Sequence, residues 1–265
     1  KEAVHFFVAF FFCLKGGTFF MKTDLKILPA GDSAVVAEFG NTIDPLINDQ
    51  VQAMTARIHS AGLAGIRELI PSFRSLLILY DPGLLSYQKL TETLKQFSFS
   101  LSASGQKEKR IHLIPCCYGS HFGPDLSDME KTTGLSREEI IAIHSGVDYR
   151  IYMLGFLPGF VYLGGLDKRI EMPRLSTPRV KIPQGAVGIG GSQTGVYPLD
   201  SPGGWRLIGG TPVDFYDPNR PDPVLCKAGE YIRFVPISSC EYYDIRQQQA
   251  KGLYQPKIRV KKEAV

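Results

Sequence analysis

Several signatures that would assign a chemistry at once are missing from this chain of 265 residues. There is no HExxH, and the five histidines (His5, His59, His112, His121, His144) are scattered without ligand spacing, so no metal centre is expected. No GxGxxG occurs. The stretch "GGSQTGVY" begins like a phosphate loop but lacks the Lys-Ser/Thr that would reach phosphates and Mg²⁺. A GxSxG elbow fails too, because Thr194 stands where its last glycine should be. The five cysteines (Cys13, Cys116, Cys117, Cys226, Cys240) form no CxxC pair and no even framework, which points to reduced thiols and a cytoplasmic protein. Cys116 and Cys117 read as the end of a core strand rather than as nucleophiles. A net charge of +4 is too mild to imply nucleic acid or a membrane surface. The apolar run at residues 5–14 is half the roughly 20 residues that a membrane span needs.

Residues 1–20 are expected to be a translated leader. Lys15-Gly16-Gly17 is what a bacterial ribosome-binding sequence would encode, and Met21 follows shortly after as the expected start. A signal or anchor segment is the alternative, although no small-residue cleavage site follows the apolar run cleanly.

Beyond Met21 the composition is ordinary for a globular chain, with 44% hydrophobic and 21% charged residues. "SAVVAEF" reads as a strand. A helix follows with Asp44 as N-cap, Pro45 in its first turn and Gly62 after its end, and with Leu46, Ile47, Val51, Met54 and Ile58 inward. "GIRELIP" and "SLLILYD" read as strands. A helix near residues 85–97 turns Leu90, Leu94 and Phe97 inward, and "SFSLSA" offers a last strand. The order β-α-β-β-α-β predicts a small ferredoxin-like α/β domain over residues 21–101. The polar stretch 102–110 reads as a linker. A second, mainly-β domain over residues 111–240 opens with the strand "IHLIPCCYG". Two short helices follow, the second with Ser136 and Glu139 in capping-box spacing, and then strands broken by Gly and Pro. Residues 241–265 are expected as a C-terminal tail. The fold class is therefore α+β.

What is abundant lies in one place. Residues 185–210 hold nine of the 27 glycines and the single tryptophan, Trp205. Glycine at this density signals sharp turns or close backbone approach. Between residues 168 and 210, Lys168, Arg169, Arg174, Arg179, Lys181 and Arg206 face only Glu171 and Asp200. Arginine forks match carboxylates and phosphates, and turn amides can form an anion nest. The same cations would equally make a solvated basic face, a lone Trp reads first as core, and His144 reads as a helix-end cation.

The stretches "HSGVDYRIYMLGFLPGFVYLGGL", "MPRLSTPRVKIPQGAVGIGGSQTGVYP" and "SPGGWRLIGGTP" resemble the allophanate hydrolase subunit 1 family. "AGDSAVVAEFG" and "DLSDMEKTTGLSREEIIAIHSG" extend the resemblance over residues 25–236. That family takes in the B subunit of bacterial 5-oxoprolinase and the sporulation kinase A inhibitor of Bacillus-type bacteria. The resemblance implies that the second domain is a cyclophilin-like β-barrel. It also implies a companion subunit 2 and a third subunit, together with which this chain would open the ring of 5-oxoproline to glutamate at the expense of ATP shared with those subunits, with Mg accompanying the nucleotide. On this basis Arg174, Arg179 and Lys181 are expected to bind anions, and Gln193, Thr194 and Tyr197 to add polar contacts. Ser201, Gly203, Gly204 and Trp205 would shape the site, with His144 and Tyr149 at its rim. No residue stands out as nucleophile or base, so the chain would supply half of a composite site. The alternative role that the family implies is direct inhibition of a sporulation sensor histidine kinase. Prolyl isomerase activity would follow only from fold analogy.

Overall fold

The computed structural model describes residues 25–99 and 108–262. The expected leader, residues 102–107 of the expected linker and most of the expected strand "SFSLSA" lie outside the described residues.

The first unit runs β1 (Lys26–Pro29), β2 (Ala34–Glu38), α1 (Pro45–Ala61), β3 (Ile66–Pro71), β4 (Ser75–Tyr80) and α2 (Tyr87–Phe99). Its sheet is antiparallel throughout, in the order β1-β2-β4-β3. Helix α1 starts where the sequence says it should. The Asp44 carboxylate accepts from the amides of Leu46 at 2.7 Å and Ile47 at 3.3 Å, and Gly62 closes the helix in the left-handed region at φ 56°. Val51, Met54 and Ile58 pack with Leu76, Ile78, Leu90 and Leu94. Leu46, expected inward, is 56% exposed. It lies one position off the stripe formed by Ile47, Val51, Met54 and Ile58, about 100° around the helix.

Among the described residues the order is β-β-α-β-β-α, which does not confirm the expected β-α-β-β-α-β. The edge beside β2 is filled from the N-terminal side by β1, and Ser98 and Phe99 continue α2 instead of starting a strand. A hairpin partner four residues away closes the shortest available loop, with Gly31 at φ 73° in its turn.

The second unit contains β5 (Glu108–Tyr118), α3 (Leu126–Thr133), α4 (Arg137–Ser145), β6 (Tyr149–Leu154), β7 (Val161–Gly164), β8 (Arg179–Ile182), β9 (Ala186–Gly190), β10 (Gln193–Val196), β11 (Ser201–Gly203), β12 (Arg206–Gly210), β13 (Tyr231–Pro236), α5 (Ser239–Ala250) and β14 (Lys257–Lys262). Seven strands close a barrel in the order β12-β9-β10-β7-β6-β13-β5, and β5 pairs back to β12 through Tyr118 and Cys117. All pairings in the ring are antiparallel except β13 with β5. The closed barrel is consistent with the cyclophilin-like expectation. Strands β8 and β11 form a separate two-stranded ribbon.

Of the expected tail, residues 241–262 are described and are built into α5 and β14. Ser238 and Glu241 cap α5 with a reciprocal box, and β14 pairs with β5 from Glu108 to Leu113. Glu108, Lys109 and Arg110, expected in the linker, therefore begin β5. The eleven-residue β5 would otherwise leave half of one edge unpaired, and β14 covers it. Among the described residues, no helix is long and apolar enough to cross a membrane.

Candidate functional site

Three glycines of the rich segment, Gly188, Gly190 and Gly195, lie against one side chain, that of Trp205. Trp205 is 4% exposed and packs with Phe160, Ile182, Ala186, Tyr197 and Leu207. Its ring lies against the backbone of β9 and β10. A Cβ at Gly190 would come within 2.6 Å of the indole Cδ1 and Cε2, and one at Gly195 within 2.9 Å of Cζ3. Gly203 on the ribbon clears the Tyr197 hydroxyl in the same way, its hypothetical Cβ falling 2.6 Å from Oη. A side chain at Gly190 or Gly195 would press the indole off the barrel.

The exposed edge of this aromatic cluster forms an open cleft of about 250 Å³. It is lined by the rings of Phe156, Phe160, Tyr162, Tyr197 and Trp205, by Pro178, Pro202, Gly203 and Gly204, and by Arg174. The Arg174 guanidinium stands 6.0 Å from the centre of the Trp205 ring. Among the described residues it is in ion-pair contact with no carboxylate. Phe156 is 60% exposed and sits at φ 65°, with the Leu157 amide donating to the Gly155 carbonyl at 2.8 Å. That is a tight three-residue turn in a conformation bulky residues avoid. Burial pushes the Tyr197 phenol up to about 12, partly offset by the Trp205 backbone amide, so it stays protonated.

The other expected cations are already engaged. Arg179 donates to Asp125 Oδ1 at 2.7 Å and to the Trp205 carbonyl at 3.3 Å, while Asp125 Oδ2 accepts from the Leu207 amide at 2.6 Å. This clasp ties the start of α3 to the Trp205 loop. Lys181 is exposed and pairs with Asp200 at 2.7 Å. Arg206 pairs with Asp128, and Arg169 with Asp167 at 2.7 Å. The basic segment of the sequence is largely neutralised by acids that fold against it.

The structure thus brings together Arg174, Tyr197, Gly203, Gly204 and Trp205 from the expected set. Arg179, Lys181, Gln193, Thr194 and Ser201 do not line the cleft. Gln193 is half-buried at the start of β10, and Ser201 is buried, its hydroxyl without a hydrogen-bond partner among the described residues. Thr194 is buried in the barrel, where its hydroxyl donates to the Gly188 carbonyl at 2.9 Å and faces His144 Nε2 at 2.9 Å. His144 and Tyr149, expected at the rim, are fully buried core residues. The Thr194 proton is committed to Gly188, so His144 Nε2 carries hydrogen and Nδ1 accepts from the Tyr118 hydroxyl at 2.7 Å. Burial lowers His144 to about 3, which makes it a neutral ring rather than the expected helix-end cation. Cys116 and Cys117 are buried at the end of β5, and burial raises both thiols, which leaves them poor nucleophiles.

Sequence reasoning missed Phe156, Phe160, Tyr162 and Asp125. The "GFLPGF" text carried a local signal, since a Phe between glycine and proline turns is an aromatic presented by a bend. Asp125 had none, as it meets Arg179 across 54 positions. A larger cavity of about 740 Å³ lies elsewhere, between the barrel and the segment that joins α5 to β14, and it holds none of the expected site residues. Its charged groups are mostly paired, as in Arg110 with Glu230, which also hydrogen-bonds with His112. Among the described residues, no group of three or more His, Cys, Asp or Glu is placed to hold a metal ion.

A closed seven-stranded barrel joined to a small four-stranded α/β unit, with an aromatic cleft on the barrel, defines the structural class. The family model described as carboxyltransferase domain, subdomain C and D, matches residues 25–226, and the chain belongs to that family. It is similar to the 5-oxoprolinase B subunit of Bacillus subtilis (strain 168), with 41% identity over 238 residues that span 86% of this chain and 99% of the relative. It is also similar to the 5-oxoprolinase B subunit of Escherichia coli O157:H7, with 38% identity over 207 residues, 78% of this chain and 93% of that one. The solved urea amidolyase of K. lactis superposes with a TM-score of 0.77 at 18% identity, covering 94% of this chain and 17% of that one, which speaks to the fold alone. These relatives bear out the resemblance read from the sequence.

Proposed function

We propose that this chain is the B subunit of an ATP-dependent 5-oxoprolinase, and that the Arg174 cleft receives the carboxylate and ring of the lactam. The observation that carries the assignment to this cleft is the state of Arg174. It is the one expected anion-binding group that faces an open aromatic cleft with no carboxylate in contact among the described residues. A flat five-membered ring bearing one carboxylate suits a site of about 250 Å³ with aromatic walls and a single free fork. The protonated Tyr197 hydroxyl can donate to a carbonyl but cannot serve as a base near neutral pH.

The same site does not fit a nucleoside triphosphate. Arg179 and Lys181 are spent in ion pairs, and no phosphate loop borders the cleft. ATP and its Mg²⁺ therefore belong with the companion subunit 2 and the third subunit, and this chain contributes binding and orientation of the lactam. It is inactive alone on this reading. The two units are its two domains, with α5 and β14 added to the barrel. With Cys116, Cys117, Cys226 and Cys240 all free, the assembly belongs in the cytoplasm. Inhibition of a sporulation kinase would need only an exposed complementary surface, and no observation on the described residues favours it.

The test is phosphate release from ATP by this chain assembled with the two companion subunits, with and without 5-oxoproline. Arg174→Ala is expected to abolish the lactam-dependent release and Arg174→Lys to retain part of it. A folded, assembled Arg174→Ala complex with full release would overturn the assignment.

A further inference from the structure

We propose that the first unit is a working part of the cleft, and that Asn48 and Phe73 are positioning residues which hold its aromatic wall. This rests on the reading of the Arg174 cleft as the lactam site.

The path begins at a buried polar group that the core of α1 does not need. Asn48 is fully buried, and its Nδ2 lies within hydrogen-bond reach of three carbonyls: Ser72 at 3.2 Å, Phe73 at 3.3 Å and Tyr152 at 3.1 Å. Its Oδ1 accepts from Arg150 Nε at 3.2 Å, and Arg150 also pairs with Asp49 at 2.6 Å. One side chain of the first unit thus fixes both the β3–β4 turn and strand β6 of the barrel. A buried amide with these partners fixes a geometry, because displacement in any direction leaves a polar atom unpaired.

What the turn delivers is a ring. Phe73 stacks on Tyr152, with centroids 5.5 Å apart and planes at 30°, and meets Tyr162 edge-on at 6.1 Å. Tyr162 lines the cleft. It stands 4.8 Å from Phe160 and 6.0 Å from Trp205, over which Arg174 sits. The contacts run without a gap from α1 through Phe73 and Tyr162 to the indole and the cation. Tyr162 lies on β7, which is only four residues long, so its ring depends on neighbours for support. The first unit supplies that support from outside the barrel.

Trp205 is the chain's single tryptophan, so its fluorescence reports on the cleft without any need for turnover. In the full chain, Phe73→Ala is expected to shift the Trp205 emission maximum and to weaken 5-oxoproline binding, read as Trp205 quenching, by about tenfold. Far-UV circular dichroism should stay unchanged. Phe73→Tyr, which keeps the ring, should restore both readouts, and Asn48→Ala should reproduce the emission shift. Wild-type emission together with wild-type affinity in Phe73→Ala would overturn the proposal, as would a shift that Phe73→Tyr fails to correct. If the wild-type chain shows no response to 5-oxoproline, the cleft reading fails instead. The emission arm alone then decides whether the first unit holds the wall: a shift supports it and no shift overturns it.

Discussion

In the first unit, two helices press Val51, Met54, Ile58, Leu90 and Leu94 against Leu76 and Ile78 of a four-stranded sheet. In the barrel, Trp205 rests on strands whose contact positions are Gly190 and Gly195, and a polar line from Tyr118 through His144 to Thr194 crosses the interior. The first core is filled by side chains, whereas the Trp205 cluster on the barrel, apart from the barrel's own side-chain core, is partly filled by backbone. The two should therefore fail in opposite ways, the first when atoms are removed and the second when they are added.

The largest effect separates these modes directly. Leu94→Ala empties a fully buried position in the first core and is expected to cost about 2–5 kcal/mol in denaturant unfolding. Gly190→Ala adds one methyl against the indole and is expected to cost about 1–3 kcal/mol while moving the Trp205 emission. If Gly190→Ala left emission and stability untouched, the glycines would have to be explained by something other than close approach.

Acid should act on the barrel through His144. The unfolded chain takes up this proton below about pH 6.5, whereas the folded protein takes it up only near pH 3. Across that window the unfolded state holds more protons, so stability falls as the pH drops, by up to about 1.4 kcal/mol per pH unit. His144→Gln should flatten the slope between pH 6 and pH 4 in parallel urea titrations. An unchanged slope would assign acid sensitivity to the carboxylates alone.

The smallest effect concerns backbone geometry at a residue that lines the cleft. Phe156 occupies the left-handed region at φ 65°, and Phe156→Asn, which tolerates that region better, is expected to gain about 0.5–1 kcal/mol. A loss in the chemical denaturation midpoint would mean that the edge contact with Phe160, at 5.6 Å, outweighs the strain.

Elements whose causes are local could be read in advance. Asp44, Pro45 and Gly62 bracket α1, and Ser136 with Glu139 opens α4, because caps are made by neighbours along the chain. The alternating and continuous apolar runs of β2, β4 and β5 were equally plain. Strand β1 was missed because "KILP" is short, and β14 because "KIRVKK" is charged and only its pairing with β5 makes it a strand. In the cleft, the glycines, Trp205, Tyr197 and Arg174 were legible as a dense local signal. Arg179 and Lys181 looked identical to Arg174 in the sequence, and only the positions of Asp125 and Asp200 in space distinguish them.

Where α1 starts and stops, where α4 starts, which face of α1 is apolar, and that glycine is concentrated around Trp205 follow from residue order alone. Which cations stay free, that His144 is neutral, and which rings on and beside β7 line the cleft follow only from the folded arrangement. The physical reason is range. Capping, turn preference and hydrophobic periodicity act within a few residues, whereas charge neutralisation and desolvation depend on groups brought together from across the chain.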